Sequence, residues 1–176
     1  MSSDFMIQYT RKYISVGVVI LCILLLFLSG GCARVRHRFS RANPFSTSDT
    51  TPSLWPVDQS VMRISSPFGE RRSGGRRHKG IDMAAPQGTA VMATASGHAV
   101  LSGQQGAYGN IIVIRHGNDL ETAYAHLHRR LIRQGDTVRR GQKIGTVGAT
   151  GNATGPHLHY EVRRNGVRVD PGPWLP

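Results

Sequence analysis

Five of the eight histidines in this 176-residue chain fall in three short groups: His78 with Asp82, His126 with His128, and His157 with His159. Imidazole nitrogen and carboxylate oxygen are the ligands a zinc-class metal takes where thiolates are missing. The two cysteines, Cys22 and Cys32, both lie near the N-terminus. Any metal site after Cys32 must therefore be built from His, Asp or Glu. A single histidine is more often an ordinary surface or core residue than a ligand. Three groups in one cysteine-free stretch point to a metal centre.

In His78-Lys79-Gly80-Ile81-Asp82 the two ends would share a face if the segment were helical. Gly80 inside it, and Pro86 and Gly88 just after, argue against a helix and for a turn entering a strand. Such a turn brings an imidazole and a carboxylate around one ion, and Asp82 offsets part of the charge of Zn2+. His157-Leu158-His159 opens an apparent strand from Leu158 to Val162, where alternate side chains share a face about 7 Å apart. That spacing suits one ring on a metal and the other beside it. The same alternation puts Tyr124, His126 and His128 on one face of ETAYAHLH. Spacing alone leaves open which of His78, Asp82, His126, His128, His157 and His159 bind the ion.

These side chains need a frame. From about Val61 the chain becomes short apolar runs broken by glycine, as in TAVMATASG, NIIVIRHG, KIGTVGATG and LHYEVRRNG, which is strand punctuation. Nine or so strands, with Gly97, Gly103, Gly109, Gly117, Gly141, Gly145 and Gly151 read mostly as turn residues needing positive φ, predict an all-β, antiparallel sandwich or barrel-like domain over 61–176 without helices. Residues 33–60 mix Arg, Ser, Thr and Pro with little apolar periodicity and read as a basic tether. Residues 1–32 read as a signal or anchor, because the uncharged run Ile14 to Leu28 follows Arg11 and Lys12. Leu28-Ser29-Gly30-Gly31-Cys32 resembles a bacterial lipoprotein signal, with Ser29 in place of a large aliphatic residue. A lipoprotein at Cys32 and a retained signal anchor both fit the run. Arg34, Arg36, Arg38 and Arg41 weigh against the anchor, since they oppose the positive-inside rule. Either way the domain belongs to the cell envelope, on the membrane through a lipid or an apolar anchor.

The ordered set His78-x-x-x-Asp82, Tyr124-Ala125-His126-Leu127 and Gly155-Pro156-His157-Leu158-His159 resembles the lysostaphin and LytM type of zinc metallopeptidase. Ser66-Pro67-Phe68-Gly69-Glu70-Arg71, Gly80-Ile81-Asp82-Met83-Ala84-Ala85-Pro86, Tyr108-Gly109-Asn110 and Gly141-Gln142-Lys143-Ile144-Gly145 fall in the family's order. The resemblance implies one zinc ion on His78, Asp82 and His159, with His126 and His157 as unligated catalytic histidines. It also implies an endopeptidase acting on the crosslinks or stem peptides of bacterial peptidoglycan. Family members that regulate other wall enzymes typically lack some of these positions, whereas all five are present here. The alternative is a catalytically silent regulator that activates a wall amidase. His128 sits where relatives often carry a small polar residue.

Other residues have two readings. Glu161 shares the face of His157 and His159 and is expected as a solvated or cross-strand charge, with a ring-orienting acceptor as the second reading. Tyr124 is read as a half-buried strand residue or a hydrogen-bond donor to substrate. The basic run Arg71, Arg72, Arg76, Arg77 and Lys79 is read as a solvated loop or as the groove rim meeting carboxylates or phosphates of the wall. A net charge of +12 and a pI near 11.0 favour anionic partners. Nucleic acid is excluded, because Tyr108, Tyr124, Tyr160 and Trp174 are not interleaved with a basic stripe as a stacking platform requires.

Overall fold

The computed structural model describes residues 45–117 and 119–176. The signal, anchor and Cys32 expectations lie outside them. Among the described residues there is no α-helix, and no helix is long and apolar enough to cross a membrane. Eleven strands follow one another: β1 (Arg63–Ser66), β2 (Ile81–Ala84), β3 (Ala90–Met92), β4 (Gly97–Gln105), β5 (Gly109–Arg115), β6 (Leu120–Ala125), β7 (Arg129–Arg130), β8 (Thr137–Val138), β9 (Lys143–Thr146), β10 (His157–Arg164) and β11 (Val167–Val169). They form two antiparallel sheets. The large one runs β1-β2-β10-β6-β5-β4-β8, with β11 also on β10, and the small one runs β3-β9-β7. The all-β, antiparallel expectation holds.

Alternation builds the core. Ile81 and Met83 of β2, Leu158, Tyr160 and Val162 of β10, Tyr124 of β6 and Ile112 and Ile114 of β5 turn inward to meet Val91, Ile144 and Val147 from the small sheet's side. The opposite face of the large sheet carries a smaller apolar cluster of Ile111, Val113, Ala123 and Ala125. On that face lie the residues that could do chemistry.

Two tyrosines carry hydroxyls into the core, and a buried polar chain receives them. Thr94 Oγ1 is 3.0 Å from the Tyr124 hydroxyl and 2.9 Å from that of Tyr160, and the Thr94 N–H donates to Tyr124 at 3.0 Å. Thr122 Oγ1 links Tyr124 to His116 Nε2 at 3.0 and 2.8 Å, and His116 Nδ1 donates to the Ser96 carbonyl at 2.8 Å. Each polar atom is thereby matched, which is what burial demands. Tyr124, fully buried, is thus neither half-exposed nor available to substrate.

Two further sequence expectations change. Not every glycine read as a turn residue is one: φ is positive at Gly109, Gly141 and Gly151, but Gly97 and Gly145 sit in strands where a Cβ would strike the carbonyls of Arg115 and Arg129. Close strand approach selects them. The segment read as tether to residue 60 packs on the domain from Asp49 onward. Val57 is fully buried, Met92 N–H donates to the Pro56 carbonyl at 2.8 Å, and Trp55 Nε1 donates to the Pro176 carbonyl at 2.9 Å. Trp55 and Val57, in a stretch with too few apolar residues to show periodicity, pack into the core.

Two outcomes follow from this packing. Burial pushes His116 down to about 4, against the acceptor at Ser96 and the charge of Glu121. The folded value is below that of free histidine, so the unfolded chain takes the proton first, and stability present above pH ~6.5 is lost as pH falls toward ~4. That limb amounts to about 2–3 kcal/mol by linkage. Urea unfolding between pH 7.5 and 4.5 should show it, and His116→Gln should reduce proton uptake on unfolding by about one. At Gly80 a Cβ would strike the Tyr160 carbonyl and the His159 ring. Gly80→Ala should therefore cost about 1–3 kcal/mol through overpacking, read from the thermal midpoint.

Candidate metal centre

Register places the first pair of groups. In the β2–β10 ladder His159 is directly opposite Asp82 and His157 opposite Ala84. Cross-strand partners share a face, so the His159 ring and the Asp82 carboxylate meet, with Nδ1 2.8 Å from Oδ1. On the other side of β10, His159 faces Ala125 and Glu161 faces Ala123, and these small residues leave room for both side chains. His78 arrives from the turn before β2. Its Nε2 is 3.1 Å from Asp82 Oδ1 and 3.1 Å from His159 Nδ1.

Three potential ligand atoms thus form a triangle about 3 Å on edge, and all three residues are buried. Tetrahedral zinc with bonds near ~2.0–2.2 Å spans its ligands at a similar separation, so the donor set fits the ion. The remaining ring nitrogens are held. His78 Nδ1 donates to the Pro67 carbonyl at 2.8 Å, and His159 Nε2 lies 3.2 Å from Glu161 Oε1. Burial pushes the Asp82 carboxyl up, but hydrogen bonds from His159, His78 and Arg72 outweigh it and hold Asp82 well below the usual carboxylate range. At His159 burial opposes charge, and hydrogen bonds to Asp82 and Glu161 more than offset it, so the value is raised. The surroundings favour a positive charge at this point, whether a proton or a metal ion.

His126 and His157 stand beside the triangle. Their rings are 4.7 Å apart, and His157 Nε2 is 3.8 Å from Asp82 Oδ1. His126 Nδ1 meets the Thr150 carbonyl and His157 Nδ1 the Gly155 carbonyl, both at 2.8 Å. A carbonyl only accepts, so each Nδ1 carries a hydrogen, and in the neutral form of either ring the lone pair is on Nε2. Burial, with the charges of His157 and His159, pushes His126 down to about 4 against the Thr150 hydrogen bond. It is neutral at pH 7.

The route to His126 differs from the alternation expected for ETAYAHLH. β6 ends at Ala125, and His126 has φ of 61°. That left-handed residue breaks the period, so Tyr124 faces the core while His126 reaches the opposite side, where its ring is 5.8 Å from that of His159. His128 is exposed and stays out of the cluster.

Sequence reasoning missed Arg72 and put the ring-orienting reading of Glu161 second. Arg72, expected on a solvated rim, donates to Asp82 Oδ2 at 2.7 Å and to Ser66 Oγ at 2.7 Å. Nothing in a run of arginines marks which one turns inward. Glu161 is fully buried instead of solvated. Its Oε1 accepts from Tyr108 at 2.7 Å and Arg168 at 3.1 Å, and its Oε2 accepts from Arg163 at 2.8 Å. Burial raises the Glu161 carboxyl, but His159, Arg163 and Tyr108 together bring it down to about 2. The period-two spacing from His159 was the available signal.

The profile of peptidase family M23 matches residues 76–171. The chain is 55% identical over 113 residues to the DD-carboxypeptidase/endopeptidase Mpg of Neisseria meningitidis serogroup B, a match that covers 62% of this chain and 26% of that protein. It is 41% identical over 138 residues to the murein hydrolase activator NlpD of Salmonella dublin, covering 76% and 35%. The chain therefore spans about a third or less of the length of these curated relatives. Among solved structures, a zinc-containing peptidase from Vibrio cholerae is similar with a TM-score of 0.64 and 38% identity, covering 68% of this chain and 39% of that one. Because that profile spans more than half of the chain, including His78, Asp82, His126, His157 and His159, the chain belongs to peptidase family M23, the lysostaphin and LytM type.

Proposed function

We propose that this protein is a zinc-dependent endopeptidase of the cell envelope that hydrolyses peptide bonds of peptidoglycan. The observation that carries the proposal is the joint presence of a His78, Asp82, His159 triangle and two further histidines, His126 and His157, each held at Nδ1 by a backbone carbonyl beside it. In this reading the triangle holds one zinc ion, which supplies Lewis acidity and a water acidic enough to lose its proton near neutral pH. The chain has no HExxH segment, so the proton falls to histidine. Nε2 of His126 or His157 would accept it as water attacks the scissile carbonyl, and the ring so protonated would hydrogen-bond the charge developing on the carbonyl oxygen and then pass the proton to the departing amine. The Thr150 and Gly155 carbonyls hold both rings in the tautomer this requires. The name of the Neisseria relative supports a DD-crosslink as the bond cut.

A regulator that activates a wall amidase is the second reading, favoured by the similarity to NlpD. The two differ in turnover. A zymogram on purified wall, with mass spectrometry of fragments from defined muropeptides, should give direct cleavage at a D-Ala linkage. Wall that stays intact unless an amidase is added would favour the regulator.

The side-chain roles are separable. His159→Ala should lose both bound zinc and lytic activity. His126→Ala should keep zinc by elemental analysis while turnover falls about 100-fold or more, whereas exposed His128→Ala should keep both. A fully active His126 variant would remove that residue from the mechanism. Exposed Arg71, Arg76, Arg77 and Lys79 offer a salt-screened attraction to wall carboxylates and phosphates. The lytic rate should therefore fall as ionic strength rises, and less so after Arg76 and Arg77 are replaced by Gln.

A further inference from the structure

One group beside the centre has no part in the chemistry so far. Glu161 is two residues along β10 from His159, on the same face, and fully buried. Burying a carboxylate is costly unless several donors compensate it. Here Tyr108, Arg163 and Arg168 do so, with Arg168 Nε 3.1 Å from both oxygens and its terminal nitrogen donating to the Tyr108 hydroxyl at 2.9 Å. Such a cluster would be satisfied without any histidine. Yet Oε1 also lies 3.2 Å from His159 Nε2, the nitrogen on the side of the ring away from Asp82 and His78. Tyr108 packs against the same ring at 5.9 Å between centroids.

We infer that Glu161, its Oε1 held by Tyr108 and Arg168, is a positioning residue that keeps the hydrogen of His159 on Nε2 and so leaves Nδ1 bare to bind the metal. Neutral imidazole carries one N–H, and a carboxylate can only accept it. Carboxylates face both nitrogens, Asp82 at Nδ1 and Glu161 at Nε2, so once Asp82 and Nδ1 serve as ligands the hydrogen has its acceptor at Nε2. A ligand ring held this way loses less freedom on metal binding and donates more strongly. Gly80 closes the other side of the ring, since a Cβ there would strike its Cε1.

The inference rests on the zinc reading above, and the test separates the two. Zinc affinity of the full chain is measured by competition with a chromogenic chelator, for the wild type, Glu161→Gln, Glu161→Asp and Arg163→Gln. Glu161→Asp keeps the charge that Arg163 and Arg168 need, and so protects folding, while drawing the carboxylate back from the ring. Both Glu161 variants should bind zinc about 10–100-fold more weakly. Arg163→Gln, which removes a partner of Oε2 only, should stay within about threefold, because the His159 contact is untouched. Nitrogen NMR of zinc-loaded wild type should place the His159 proton on Nε2. Unchanged affinity in the Glu161 variants, or an equal loss in Arg163→Gln, would show that the cluster serves the fold alone and overturn the inference. Wild-type protein that takes up no zinc would overturn the metal reading, and this one with it.

Discussion

The direct pairing of His159 with Asp82 across the β2–β10 ladder is the contact on which the site depends. Side chains alternate with a period of two, so a slip of one residue would turn Asp82 into the core and Met83 outward. The register is protected by what lies beneath it. Ile81, Met83, Leu158 and Tyr160 are buried on the reverse face, and a slip would expose them all. Hydrophobic burial on one side of the sheet thereby fixes polar geometry on the other.

The same coupling runs deeper through the tyrosines. Tyr124 and Tyr160 are directly opposite on β6 and β10, and both hydroxyls meet Thr94 in the bend between β3 and β4. Their rings pack at 5.4 Å and join three parts of the chain to the two strands that flank the His159 face. A polar chain inside a core is unforgiving of partial satisfaction, which helps to define a single arrangement of the strands supporting the site.

Much of this was legible in residue order. The all-β class, the strand at His157-Leu158-His159 and the turn before Asp82 all follow from local rules, since alternation and glycine placement act within a few residues. The rest depends on tertiary context. A positive φ at a histidine has no sequence signature, so the segment after Tyr124 read as unbroken strand. Arg72 is one arginine among several, and only the folded loop turns it to Asp82. Glu161 looked like a surface charge because its compensating partners, Tyr108 and Arg168, come from distant segments. Gly97 and Gly145 resembled turn glycines, since the carbonyls that exclude a Cβ belong to neighbouring strands. Trp55 and Val57 fell in a stretch with too few apolar residues to show a pattern, and only the sheets they cover reveal their place.

The way the His159 ring is held also bears on how the ion would come and go. The ring is bounded by Gly80, Tyr108 and Glu161, and its strand is anchored in a core that contains no part of the metal triangle. Cohesion of the sheets and occupancy of the centre are therefore largely separate matters, unlike small zinc domains in which the ion is the core. On the zinc reading proposed above, a chelator would empty a preformed cradle and leave the sheets standing, so that loss of the ion would not be a step of unfolding.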